Sequence, residues 1–203
     1  MLAGGHLTSE TLGALTAADD VLYLTADPAS EAALLARRPD ARSLADCYAP
    51  GRRRERSYEE MLRRIAAPLT HGRTVCAAFY GHPGVFAWAP HEAVARARAL
   101  GHEARMLPSV SAEDCLVADL ELDPAALGWQ SFEASDFLLR PRRIDTHSAL
   151  VLWQIGAIGV DDYRREALWS REGLWVLESD LRASYPAAHE VVLYEAAQYA
   201  VCA

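Results

Sequence analysis

Residues 74–80 read Thr-Val-Cys-Ala-Ala-Phe-Tyr, an apolar run that Gly81-His82-Pro83-Gly84 cuts off abruptly. The run has the length and composition of a buried strand, and two glycines with a proline force a sharp turn at its carboxyl end. In open α/β sheets ligands bind at that end of the strands. Small residues there let a ligand come close to the backbone amides. Taken alone, a G-x-P-G turn is equally an ordinary strand–helix connection.

The surrounding chain alternates the same way. Residues 8–17 read as a helix capped by Thr8 or Ser9, with Leu12 and Leu15 on one face. Residues 20–25 read as a short buried strand ended by Ala26-Asp27-Pro28, and a helix follows over 31–37. Residues 39–56, with Pro50-Gly51 and three consecutive arginines, read as loop. Ser57 then caps a helix whose apolar face is Tyr58, Met61, Leu62, Ile65 and Leu69. Pro90 opens the next helix and Gly101 closes it. A strand over 104–107 leads to Pro108-Ser109-Val110-Ser111, and Ser111 with Asp114 forms a capping box for a helix over 112–120.

Strand–helix alternation over the first 120 or so residues predicts a parallel sheet. Beyond Asp123-Pro124 the texture changes. Residues 132–139, 149–158 and 190–194 read as longer strands, with a helix aligning Leu174, Leu177 and Leu181 between the last two. The expectation is two α/β domains, residues 1–123 and 124–203, the second with a more mixed sheet.

A chain of 203 residues, about half of them apolar, can bury such cores. Its formal charge of -8 argues against a broad phosphate-binding surface, hence against nucleic acid as a partner. All 20 basic residues are arginine. Cys47, Cys76, Cys115 and Cys202 are scattered with no C-x-x-C pair, which fits free thiols in a reducing compartment. The seven histidines show no metal-ligand spacing, so no metal is expected. With no signal-peptide pattern and no long apolar span, the expected location is cytoplasmic, without a membrane partner.

Two further segments could carry chemistry. At 109–112, Ser-Val-Ser-Ala runs from strand to helix, where free amides and a positive dipole end suit an anionic group. Ser111 equally well serves only its own helix. Tyr48, Arg54, Tyr58 and Tyr80 are the second group; a tyrosine on an apolar face is more commonly a core residue, and an arginine in a charged run a solvated one.

Together these segments resemble a known family. The ungapped block from Tyr80 to Leu120 is similar to tetrapyrrole methylases, whose corresponding turns read G-D-P and G-[IV]-S. More narrowly, Tyr80-Gly81-His82-Pro83-Gly84-Val85-Phe86 and Leu107 to Leu120 resemble the borosin-type peptide backbone α-N-methyltransferases. Phe132 to Leu138 and Val151 to Gly156 fit that pattern too. Ser109 departs from it, standing where the family has glycine before the V-S-A turn. In that family a tyrosine is followed six positions later by an arginine and four later by a second tyrosine. Tyr48, Arg54 and Tyr58 reproduce the spacing, with Tyr80 a further 22 positions on.

The resemblance implies a two-domain class III methyltransferase fold using S-adenosylmethionine, with a peptide backbone amide as acceptor (borosin biosynthesis, in which a ribosomally made peptide is modified). It assigns Tyr48, Arg54 and Tyr58 to catalysis, and Tyr80, His82, Val85, Phe86, Ser111, Ala112, Gln154 and the segment around Ala196 to the cofactor. It implies an intertwined homodimer and, with no peptide-like tail here, a separate precursor methylated in trans. Relatives begin with a strand and a glycine-rich turn that would precede Leu7, and continue past the segment matching 191–194. The expectation is therefore a chain truncated at both ends, lacking the first strand and exposing apolar surface with two unpaired strand edges. A mis-called start is the favoured account, over a truncated gene or a degenerate pseudoenzyme. Two other readings stay open: a methylase of a tetrapyrrole or other small molecule, and a non-catalytic binding subunit.

Overall fold

The computed structural model describes residues 6–163 and 171–197. It has a three-stranded parallel sheet followed by a two-stranded parallel one. In chain order the first half runs α1 (Ser9–Ala17), β1 (Asp20–Leu24), α2 (Pro28–Leu35), β2 (Arg42–Ser43), α3 (Arg54–Ala66), β3 (Val75–Phe79), α4 (Trp88–Ala99) and α5 (Ala112–Asp119). The second half runs α6 (Pro124–Leu127), β4 (Trp129–Glu133), α7 (Ala134–Leu139), β5 (Ala149–Trp153) and α8 (Arg171–Leu181). Mixed α/β architecture with parallel sheets is what the alternation predicted.

Residues 21–24 of β1 are all buried, the mark of a strand covered on both faces. Leu22, Leu24, Leu44, Cys47, Met61 and Ile65 form the first core, with Tyr48, Tyr58 and Phe79 packed against it. A second core gathers Ala134, Phe137, Ile158 and Leu177, edged by Phe132, Leu174 and Leu181. The cap assignments at Thr8 and at Ser111 with Asp114 hold, and Gly101 turns left-handed after α4.

Several boundaries differ from expectation. α2 starts at Pro28, because Asp27 is an N-cap whose carboxylate accepts the Ser30 amide at 2.8 Å. The stretch read as loop contains β2 and a 3-10 turn over Ala45–Cys47. α3 starts at Arg54, not Ser57; Ser57 lies inside the helix, fully buried, with no hydrogen-bond partner for its hydroxyl. α4 starts at Trp88, two residues before Pro90. The run 132–139 divides at Glu133, whose carboxylate accepts the Asp136 amide and so caps α7. β5 ends at Trp153, where Gln154 takes a left-handed conformation. The second sheet is parallel rather than mixed, and residues 190–194 are irregular and mostly exposed rather than a strand.

Residues 104–107 are extended but pair with nothing among the described residues. The reason lies in the first sheet. Its order is β2-β1-β3, and β3 bonds to β1 on one edge only. Asp20 N–H donates to Thr74 O and Tyr80 N–H to Leu24 O, which leaves the amides and carbonyls of Val75, Ala77 and Phe79 on the other edge. There a cavity of about 700 Å³, lined by Ala77, Phe79, Ala93, Met106 and Leu107, separates β3 from 104–107.

Candidate active site

Tyr48 follows directly on the 3-10 turn Ala45–Cys47, and Arg52 reaches back to donate to the Cys47 carbonyl at 3.0 Å. Arg54 opens α3 and Tyr58 stands one turn on, so the two share a helix face. The Tyr58 ring meets Tyr48 edge-on, centroids 6.4 Å apart at 81°. Tyr80 sits just past the carboxyl end of β3, held by its backbone bond to Leu24. Segments remote in sequence thus bring three phenols and a guanidinium together. Most arginines here pair with carboxylates, but Arg54 has no ion pair among the described residues.

Electrostatics separates the phenols. Burial pushes the Tyr48 hydroxyl well above its usual range, the neighbouring Tyr58 and Tyr80 phenols add to this, and Arg54 offsets only part. Tyr80 is raised too, mainly by desolvation, again against a lowering from Arg54. Its side chain is 51% exposed, yet the surroundings of its hydroxyl are crowded enough for desolvation to prevail. Tyr48 therefore stays protonated at neutral pH and keeps a proton to donate.

The turn after Tyr80 is tightly specified. Gly81 is left-handed, and a β-carbon on Gly84 would lie 2.8 Å from the Met106 sulfur. His82 Nδ1 accepts the Gly84 amide at 2.9 Å, and the Val85 amide donates to the His82 carbonyl. Phe86, 42% exposed, has φ +50°, and its ring lies 5.6 Å from that of Trp153. Gln154 beside it has φ +59°. Left-handed backbone at two non-glycine residues, joined through the Phe86–Trp153 ring contact, is the kind of strain that gathers at functional sites.

The remaining expected cofactor residues are less free. Ser111 is buried, and its hydroxyl donates to the Asp114 carboxylate at 2.6 Å while accepting the Asp114 amide at 3.1 Å. Its polar capacity is spent on the cap, although Ala112 begins the helix and is exposed. His82 stands near enough to help hold the Asp114 carboxyl low, behind the larger contribution of the Ser111 hydrogen bonds. Ala196 lies half-buried in irregular chain and makes no hydrogen bond among the described residues.

Three aromatic neighbours escaped the sequence reading. Trp88 lies 5.9 Å from the Tyr58 ring, Trp153 pairs with Phe86, and Tyr163 stacks on Tyr48 at 5.0 Å and 25°. The exposure of Trp88, at the first position of a helix, was a usable signal; nothing local marked Tyr163. Among the described residues no group of His, Cys, Asp or Glu could hold a metal ion, and no helix is long and apolar enough to cross a membrane. Cys47, Cys76 and Cys115 are free thiols; Cys202 lies outside the described residues.

Residues 3–198 match the family model of tetrapyrrole (corrin/porphyrin) methylases. The chain belongs to that family. The fold is similar to that of uroporphyrin-III C-methyltransferase from Thermus thermophilus, with a TM-score of 0.61 over 92% of this chain and 71% of that one, at 21% identity. Similar curated proteins include the methyltransferase/ribosomally synthesised cyclic peptide omphalotin A precursor of Omphalotus olearius, 42% identical over 95% of this chain. The corresponding dendrothelin A precursor of Dendrothele bispora is 40% identical over the same share. The chain spans 46% of the length of each of these relatives.

Proposed function

We propose that this member of the family transfers a methyl group from S-adenosylmethionine to backbone amide nitrogens of a peptide precursor supplied as a separate chain. The observation that carries the reading is the convergence of Tyr48, Arg54, Tyr58 and Tyr80, with Tyr48 held protonated beside a guanidinium that has no ion pair among the described residues. The similarity to proteins that join a methyltransferase to a cyclic peptide precursor supports the choice of acceptor.

The cleft suits the cofactor. The backbone of the 81–86 turn, with Tyr80, His82 and Val85, and the faces of Phe86 and Trp153 beside Gln154 offer polar edges and aromatic surface. Aromatic faces attract a cationic ligand such as a sulfonium. Ala112 and Ala196 would bound the same site. When bound, S-adenosylmethionine supplies an electrophilic methyl group.

The protein's task is to make a poor nucleophile react. An amide nitrogen shares its lone pair with the carbonyl, so charge must collect on the carbonyl oxygen as the N–H proton leaves. In this reading Tyr48 and Arg54 donate to that oxygen, as oxyanion-hole donors do. To take the amide proton Tyr58 would have to act as its phenolate, with the Arg54 guanidinium as the cation that favours that form; the nitrogen would then gain the methyl carbon as the bond from that carbon to sulfur breaks. In this reading Tyr48, kept protonated by its burial, is the donor and Tyr58 takes the base role.

Co-expression with a candidate precursor peptide followed by tandem mass spectrometry tests this, each backbone methyl adding about 14 Da. Tyr58→Phe with undiminished methylation would sink the assignment of the base. Methylation of a tetrapyrrole but of no peptide would move the acceptor to a small molecule. Binding of cofactor with no turnover on either would leave a non-catalytic subunit, the reading that the open edge of β3 favours.

A further inference from the structure

The loop that carries Tyr48 and leads into Arg54 is held by a segment from the other half of the chain. Residues 161–163 lie beyond β5 and run against 51–54. The Gly51 amide donates to the Tyr163 carbonyl at 3.0 Å, and the Tyr163 amide returns a bond to the Arg52 carbonyl at 3.0 Å. Arg53 and Asp162 form an isolated antiparallel bridge. The Arg54 amide donates to the Asp161 carbonyl at 2.9 Å. That last bond answers a need: α3 has no side-chain cap, so its first amides are orphan donors. A carbonyl from outside the helix supplies one partner and anchors the residue bearing that guanidinium. The Arg53–Asp161 ion pair at 3.3 Å is exposed on both sides and adds little.

Onto this main-chain frame Tyr163 adds a ring. It lies against Tyr48 on one side while Tyr58 meets Tyr48 edge-on from another. A phenol with a single such neighbour can rotate about its χ angles; one flanked by a stacked ring and a perpendicular ring is fixed in plane and direction. The Tyr48 hydroxyl lies close to that of Tyr58, and the two flanking rings set where its oxygen sits. We infer that Tyr163 is a positioning residue, which fixes the Tyr48 ring so that its hydroxyl addresses the reacting carbonyl oxygen. The inference rests on the donor role given to Tyr48 above. It makes methyl transfer depend on the 161–163 segment keeping its seat on the catalytic loop.

The test separates ring from hydroxyl and activity from folding. Tyr163→Phe keeps the stack and should hold kcat within about twofold. Tyr163→Leu keeps apolar bulk but loses the ring, and kcat should fall about 10- to 100-fold, since small misplacements cost that much. KM for peptide and cofactor affinity by calorimetry should stay unchanged. In a Tyr48→Phe background the further effect of Tyr163→Leu should vanish, because the two act as one unit. A readout free of turnover is the Tyr48 ring resonance in NMR, which should move toward its unstacked position in Tyr163→Leu and not in Tyr163→Phe. Impaired Tyr48→Phe with normal Tyr163→Leu overturns the role of Tyr163 alone, as does a Tyr163→Leu loss that adds fully to that of Tyr48→Phe. Undiminished turnover in Tyr48→Phe overturns the donor role of Tyr48 and takes this inference with it.

Discussion

Replacing Ser57 by alanine should stabilise the protein, although it removes a polar group next to a proposed catalytic residue. Ser57 is fully buried inside α3, and its hydroxyl has no partner, so the substitution orphans nothing else. An unsatisfied buried polar group costs about 1–3 kcal/mol. Alanine also outranks serine in a helix interior by about 0.5 kcal/mol. The void left by one oxygen, on the order of 15 Å³, takes back about 0.4 kcal/mol. Taking the low end of the first term, the net gain is about 1 kcal/mol, or roughly 2–4 °C in Tm for a chain of this length. Urea denaturation and differential scanning calorimetry of both proteins measure it, with the m-value expected unchanged. A fall in Tm would show that the hydroxyl makes a bond that matters, and the argument from its isolation would be refuted.

Other outcomes follow from the same structure. Asp114→Ala removes the carboxylate half of the capping box, leaving the Ser111 amide and hydroxyl proton without their acceptor while the amide of residue 114 still donates to the Ser111 oxygen; it should cost about 1–2 kcal/mol in urea melts and leave the first sheet intact by circular dichroism. Because the Asp114 carboxyl is held below its ordinary value, its contribution is present above about pH 4 and lost as pH falls below that, so the wild type should approach the variant in acid. Tyr48 and Tyr80 have the opposite sign. Their raised values keep stability whole below about pH 10, and it should decline above that, by up to about 1.4 kcal/mol per pH unit for Tyr48 and by less for the half-exposed Tyr80, which solvent screens. Tyr48→Phe should shallow that alkaline slope. Gly84→Ala drives a methyl into the Met106 sulfur and should cost about 1–3 kcal/mol. Met106→Ala should abolish most of the penalty, and full additivity of the two would refute the clash.

What could be read in the chain divides along physical lines. Strand β1 was legible because a parallel strand buried on both faces is a continuous apolar run, the half-buried β3 because its apolar run is cut off by two glycines and a proline, and the Ser111 cap because its chemistry is confined to four residues. α3 was misplaced because its start is set by the Asp161 carbonyl, a long-range partner that leaves no mark near Arg54. Residues 132–139 deceived for a related reason. Phe132 and Phe137 serve one core from a strand and a helix, and apolar content alone does not say which. The Tyr48-Arg54-Tyr58 spacing located the cluster through family resemblance. Spacing says nothing of how far each hydroxyl is desolvated, which the packing of the folded chain decides.

The one-sided bonding of β3 has a consequence for solvent. Amides that point at β1, on Cys76 and Ala78, are locked in a ladder, while those of Val75, Ala77 and Phe79 face a cavity. Deuterium uptake along five consecutive residues should therefore go fast, slow, fast, slow, fast, a sawtooth within one strand. Any strand that came to lie against that edge would flatten the sawtooth from one side.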